Sequence, residues 1–230
     1  MATKNTGKNT GKNQDESAAV AQAVSKSEEF FNTYKKPLTY TLIGIVVLLC
    51  IGFAYAKLVR EPRRQEALGQ MFPAETYFRA DSFNLALNGD GNSLGFKDVI
   101  KEYKALPGKV VYFYAGVCEL QLGNYNEAIS YLTKYNAKDD VIQARAYCNI
   151  GDAYVGLDNL DKGLSYYLKA AHYKDNLYAA AYYMKAGIIY EELGDKANAL
   201  AMYKIIKNDY PQTLEGYEID KYISRIESAQ

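Results

Sequence analysis

The chain has 230 residues with 27 basic and 27 acidic side chains, so its formal net charge is zero. The charge is segregated: residues 66–230 hold 22 of the acids but 17 of the bases, a net −5 that repels a phosphate backbone and argues against nucleic-acid binding. Of 23 tyrosines 20 lie beyond residue 66, and tryptophan is absent. Tyrosine, apolar along its ring and wet at its hydroxyl, suits helix seams and open protein-binding surfaces, and ordinary packing accounts for most of these.

Residues 1–14 contain a tandem Lys-Asn-Thr-Gly, at 4–7 and 8–11, and read as a solvated, disordered tail. A phosphate loop is dismissed there: Gly7 and Gly11-Lys12 are wrongly spaced, and Asn13 stands where Ser or Thr is required. Residues 15–36 read as a juxtamembrane helical segment, running from Ala18 through Val24 to Glu28-Glu29-Phe30-Phe31. Leu38 to Ala56 is then a run of 19 residues without a charge. At roughly 1.5 Å per residue it spans about 28 Å, near the roughly 30 Å of a hydrocarbon core. Tyr40 and Tyr55 stand near its ends, where an aromatic belt belongs. We read residues 37–57 as an uncleaved transmembrane helix, since the run is too long for a signal-peptide core. Lys26, Lys35 and Lys36 precede it within fifteen residues, and Lys57, Arg60, Arg63 and Arg64 follow within eight. That imbalance leans slightly against export of the C-terminal region.

Residues 65–108 read as a degenerate helical pair: Gln65–Leu87 with Phe78, Phe83 and Leu87, and Phe96–Ala105, joined by the loop Asn88–Gly95. Pro73 kinks the first helix or ends its first turn. The loop's Asn-Gly-Asp-Gly-Asn-Ser fails as a calcium loop, with Ser93 at the sharp-turn glycine and Val99 at the bidentate glutamate. It fails the dinucleotide fingerprint at Leu94.

Residues 109–211 hold the strongest signal, three segments that align without gaps from Val110, Arg145 and Ala181. Gly116, Gly151 and Gly187 coincide, each four residues after a tyrosine (Tyr112, Tyr147, Tyr183). Seven residues on come Gly123, Asp158 and Gly194, then the small residues Ala128, Gly163 and Ala199, then Leu132, Tyr167 and Tyr203. The first glycine lets helix A approach its partner, the turn residue accepts positive φ, and the second small residue marks where helix B crosses. A period of 35–36 residues, against about 34 for the unit, predicts an all-α solenoid of tetratricopeptide repeats (TPR). Glu119 departs from the usual aromatic in the first unit, and Gly163 from Ala in the second. Pro211 ends the third, and residues 212–228, with Leu214, Ile219, Ile223 and Ile226, read as a capping helix.

Catalytic chemistry is not expected. His172 is the sole histidine, there is no Gly-x-Ser-x-Gly, and Cys50, Cys118 and Cys148 form no CxxC pair. We read the chain as a non-enzyme with no catalytic, cofactor or metal site. In the TPR fold helix A lines the concave face, which here presents Phe113, Tyr114, Val117 and Leu120, then Arg145, Asn149 and Asp152, then Met184, Lys185 and Ile188. Domains of this fold that grip a C-terminal carboxylate need polar residues where Phe113, Val117 and Ala181 stand, leaving only Asn149 and Lys185. An apolar first unit suits an amphipathic helix or extended apolar segment. The competing reading is that these residues pack against the preceding helix pair.

From about residue 25 to 228 the order of parts resembles the ancillary, YfgM-type subunit family of the bacterial SecYEG translocon. Glu28-Glu29-Phe30-Phe31 precede one anchor helix, and TPR units follow. The resemblance implies an inner-membrane protein with a cytoplasmic N-terminus, a periplasmic TPR domain, and the translocon and periplasmic chaperones as partners. A cytoplasm-facing membrane adaptor and an envelope-assembly TPR factor use the same scaffold and stand as alternatives.

Overall fold

The computed structural model describes the backbone of residues 10–136, 138–174 and 176–228, with side chains at Ser25 and from Asn32 onward. The chain divides into two units, Met1–Glu61 and Pro62–Gln230.

The first unit is helix α1, Thr10–Tyr55, followed by a π-helical turn, Ala56–Arg60. Of the tail expected to be disordered, residues 1–9 lie outside the described residues, whereas 10–14 are helical. Helix propagation is cheaper than nucleation, so the Ala-rich run from Ala18 extends toward the N-terminus. Pro37 lies inside α1, which joins the juxtamembrane and apolar segments into one helix. Pro37 lacks an N–H, and nearby Thr hydroxyls reinforce the ladder: Thr39 donates to the Lys35 carbonyl at 2.5 Å and Thr41 to that of Pro37 at 2.8 Å. Among the described residues one helix, within Asn32–Arg79, is long and apolar enough to cross a membrane, and none of its apolar window is covered by protein.

The second unit starts in α2, Glu61–Arg79, whose Ala67, Met71 and Ala74 are buried at i, i+4 and i+7 spacing. Pro73 sits within α2 without ending it. The single helix expected over Gln65–Leu87 is instead split into α2 and a short α3, Phe83–Asn88. Asp81 adopts φ +53° and Ser82 N–H bonds back to the Tyr77 carbonyl at 2.9 Å. This is a left-handed helix end carried by Asp rather than Gly. The loop after α3 is organised by Asp90, which accepts from the N–H groups of Asn92 and Ser93 and from the Tyr77 hydroxyl. These bonds, the tyrosine's foremost, hold its carboxyl below the usual range. Helix α4, Phe96–Tyr103, closes this front layer over α5.

Three helical hairpins follow: α5 (Val110–Gln121) with α6 (Tyr125–Lys134), α7 (Asp140–Gly156) with α8 (Leu160–Ala171), and α9 (Ala179–Glu192) with α10 (Lys196–Asp209). Helix α11, Leu214–Ser228, buries Ile219, Ile223 and Ile226 against the third hairpin. Each hairpin turns through one positive-φ residue, Gly123, Asp158 or Gly194. The next residue's N–H reaches back to a carbonyl five residues earlier (Asn124 to Glu119, Asn159 to Tyr154, Asp195 to Tyr190). The side chains of Asn159 and Asp195 then cap the second helix.

Within each hairpin the helices meet at a glycine with no room to spare. A Cβ on Gly116 would lie 2.6 Å from Leu132 Cγ, on Gly151 2.7 Å from Tyr167, and on Gly187 2.3 Å from Tyr203. In the middle hairpin Gly163 returns the contact, its Cβ position 2.6 Å from Val155. Ala128 and Ala199 are fully buried at the matching places.

Glu119 is fully buried on α5. Asn124 donates to its Oε2 at 2.8 Å, and Lys97 of α4 lies 2.8 Å from Oε1 as an ion pair not aligned as a hydrogen bond. The polar departure of the first unit therefore pins the front layer to the repeats.

Two stability outcomes follow from these contacts. Gly187→Ala should cost about 1–3 kcal/mol through overpacking, whereas Gly194→Asn, which copies a turn type that Asp158 already makes, should cost much less. Thermal unfolding of the full chain in detergent compares them, and equal midpoints would contradict the close-approach account. Lys97→Met leaves a buried carboxylate with one partner. Because Lys97 is 40% exposed, the loss should be nearer about 2 kcal/mol than the usual 3–5 for a buried pair. Adding Glu119→Leu should restore most of it.

Candidate functional site

Helices α5, α7 and α9 place their exposed faces along one surface, and two hollows open there. The first, about 260 Å³, is lined by Phe113, Tyr114 and Val117 of α5, Ile142 and Arg145 of α7, and Glu75, Phe78 and Arg79 of α2. The second, about 290 Å³, is lined by Arg145, Cys148, Asn149 and Asp152 of α7 and by Tyr178, Tyr182 and Lys185 at and within α9. Arg145 borders both.

The groove residues read from the sequence divide accordingly. Phe113, Tyr114, Val117 and Arg145 meet at the first hollow, and Arg145, Asn149, Asp152 and Lys185 at the second. Leu120 and Met184 line neither and pack half-buried against the core, and Ile188 is exposed outside both. Tyr114 is largely taken up by the front layer, with its ring centroid 5.0 Å from Phe78 and 5.3 Å from Phe96. Phe113 is 4% exposed and packs on Tyr135 at 5.7 Å. The aromatic residues of the first unit therefore pack against neighbouring elements, and their edges wall the first hollow.

The second hollow is polar. Asp152 accepts from the Tyr167 hydroxyl at 2.6 Å and from Lys185 at 2.5 Å, so one carboxylate ties α8 to α7 and α7 to α9. The third hairpin repeats the device, with Glu191 accepting from Tyr203 at 2.6 Å and from Arg225 of α11 at 2.6 Å. Burial, with the facing carboxylate, pushes the Tyr167 and Tyr203 hydroxyls far above their ordinary range, so both stay protonated donors.

Glu75, Phe78, Arg79, Ile142, Tyr178 and Tyr182 were not among the residues read as groove-forming. The α2 residues could not be placed from sequence because α2 lies outside the repeat. Tyr182 had a signal. At its register the first two units carry Val111 and Ala146, both fully buried, so a tyrosine there brings a hydroxyl into a core position.

No group of His, Cys, Asp and Glu able to hold a metal occurs among the described residues. Burial pushes both the Cys118 and Cys148 thiols up to about 12. They are free rather than disulfide-bonded.

With the geometry in place, comparison with known proteins is informative about fold. Residues 110–139 and 180–213 match one tetratricopeptide-repeat family profile, and residues 144–175 match another. No curated protein matches the chain. Two crystal structures of MamA superpose at 20% sequence identity. One has a TM-score of 0.55, covering 71% of this chain and 84% of that one, and the other a TM-score of 0.50, covering 67% and 92%. The described residues are all-helical and include a solenoid of TPR units, and such repeats imply a surface for binding other proteins.

Raised thiol pKa values give a direct check. In a Cys50→Ala chain in detergent, Cys118 and Cys148 should be almost entirely protonated and covered at pH 8. Ellman's reagent should therefore react with them only after denaturant is added, and rapid reaction in the folded chain would contradict their burial.

Proposed function

We propose that this chain is a membrane-anchored TPR scaffold that binds proteins and catalyses no reaction, acting in the periplasm as an accessory of the Sec translocon or its chaperones. The observation that carries this reading is the order of parts: one helix able to span a membrane, followed by a solenoid with an open, hollowed helix-A face. An amphipathic or extended segment of a partner fits such a face. Nascent or unfolded chains near a translocon present segments of that kind. A long C-terminal domain can cross the membrane despite flanking positive charge, because the orientation rule weakens for long loops.

One observation favours a second reading. Lys57, Arg60, Arg63 and Arg64 cluster directly after the apolar run, as they would if that side faced the cytoplasm. The protein would then be an adaptor recruiting soluble partners to the bilayer. Alkaline phosphatase fused after Gln230 separates the two: activity in intact cells is expected, and a silent but stable fusion would overturn the periplasmic placement. Purification in mild detergent should recover translocon subunits or periplasmic chaperones. Recovery of envelope-assembly proteins without them would favour the envelope-assembly alternative.

A further inference from the structure

We infer that the basic cluster Lys57, Arg60, Arg63 and Arg64 binds the headgroup of an anionic phospholipid where the chain leaves the membrane. This rests on the anchor half of the scaffold reading, holds for either orientation, and names the lipid class that the anchor selects.

Depth is the first observation. The uncharged run of residues 38–56 matches the thickness of a hydrocarbon core by itself. Residues beyond it enter the interfacial layer, about 5–8 Å deep on each side, which takes up roughly four or five helical residues. Lys57 and Arg60 fall within that stretch, at the level of the lipid phosphates. Leu58 and Val59 stand between them, 76% and 43% exposed, so apolar side chains meet acyl chains at the same level.

Charge is the second observation. Residues 57–64 carry four basic side chains and one acidic one, a net +3. Lys57, Arg60 and Arg63 are exposed and make no ion pair among the described residues. Glu61 is the one acid from residue 30 to residue 65, and a single carboxylate cannot neutralise four cations. The next acid, Glu66, accepts from the Tyr103 hydroxyl at 2.9 Å. On the periplasmic reading the orientation rule gives no account of these charges, because it places basic flanks on the cytoplasmic side. Binding of phosphate supplies one.

The backbone adds a third. Ala56–Arg60 is a π-helical turn, in which the Glu61 N–H donates to the Ala56 carbonyl. Such turns are rare and concentrate at functional sites. This one carries Lys57 and Arg60.

Headgroup chemistry then selects the ligand. Three of the four cations are arginine, whose guanidinium forks a phosphate with two hydrogen bonds. A zwitterionic headgroup brings its own ammonium or choline group, which the cluster repels. A glycerol-type headgroup brings the phosphate alone, so net charge makes the anionic lipid the favoured one.

The test reconstitutes the full chain in dioleoylphosphatidylcholine vesicles, with a trace of spin-labelled phosphatidylglycerol or phosphatidylcholine as the reporter. Electron paramagnetic resonance reads the lipid that is motionally restricted at the protein surface. Phosphatidylglycerol should associate about threefold more strongly than phosphatidylcholine at physiological salt, where the screening length is about 8 Å. In molar salt, where that length is about 3 Å, the two should be nearly equal. Joint replacement by Lys57→Gln, Arg60→Gln, Arg63→Gln and Arg64→Gln should abolish the preference. Lys57→Arg with Arg60→Lys, Arg63→Lys and Arg64→Lys should keep it, and Lys35→Gln with Lys36→Gln on the opposite flank should leave most of it. Equal association of the two lipids with the unaltered chain, or a preference that survives the quadruple Gln variant, would overturn the site. Equal association together with loss of translocon or chaperone recovery in that variant would assign the cluster to an acidic partner protein instead. If alkaline carbonate extracts the chain from the vesicles, the anchor reading fails and the site with it. If the chain stays in the vesicles and shows no preference, the site alone fails.

Discussion

The structure depends on one close approach made three times: a glycine of helix A against a large side chain of helix B, with no space for a Cβ between them. That contact sets the helix separation in each hairpin and thereby the pitch at which hairpins stack. In the second and third hairpins the large residue is tyrosine, and its hydroxyl passes beneath helix A to a carboxylate on the other side. Tyr167 reaches Asp152 and Tyr203 reaches Glu191, and each carboxylate also binds a cation from the next element, Lys185 or Arg225. A packing seam inside one repeat is thus coupled by one side chain to the junction with the next. The first hairpin has Leu132 at this position, which has no hydroxyl to extend the chain of contacts.

What the first hairpin does instead explains its odd residue. Glu119 replaces a ring with a carboxylate, and burying a charge is costly unless it is paired. Its partners are Lys97 from the front layer and Asn124 from the hairpin's own turn. The front layer is irregular, three helices with two breaks, and cannot dock by repeating the hairpin geometry. An ion pair at the edge of an apolar interface fixes where it sits, and Phe78, Phe96 and Tyr114 pack against one another in the same layer.

These differences mark what the sequence could and could not reveal. The hairpins were legible because their constraint is local and periodic: a glycine, a turn residue, a small residue and a large one at fixed spacing. The break at Asp81 was not, because a non-glycine residue in a left-handed helix end leaves no compositional mark, and because Arg79-Ala80-Asp81-Ser82 reads as ordinary helix surface. Pro37 shows the converse. It suggests a boundary, yet α1 passes through it, with Thr39 and Thr41 bonding back to the carbonyls nearby. The groove was half legible. Arg145, Asn149, Asp152 and Lys185 follow from the repeat register, while the wall contributed by α2 depends on how a non-repeating segment docks, which no period encodes.

The abundance of tyrosine follows from the same architecture. A solenoid has seams that are apolar at the centre and wet at the rim, and a phenol spans both environments. Tyr147, Tyr154 and Tyr166 stack along one edge of the second hairpin under Lys162 and Lys169, the latter's ammonium 4.1 Å from the Tyr147 centroid. Tyr77 and Tyr103 spend their hydroxyls on Asp90 and Glu66. In the first group a ring face meets a cation, and in the second the hydroxyl meets a carboxylate of the chain itself. Tyr182 is the exception: its ring is buried more deeply than those of Tyr147, Tyr154 and Tyr166, and its enclosed hydroxyl has no hydrogen-bond partner among the described residues.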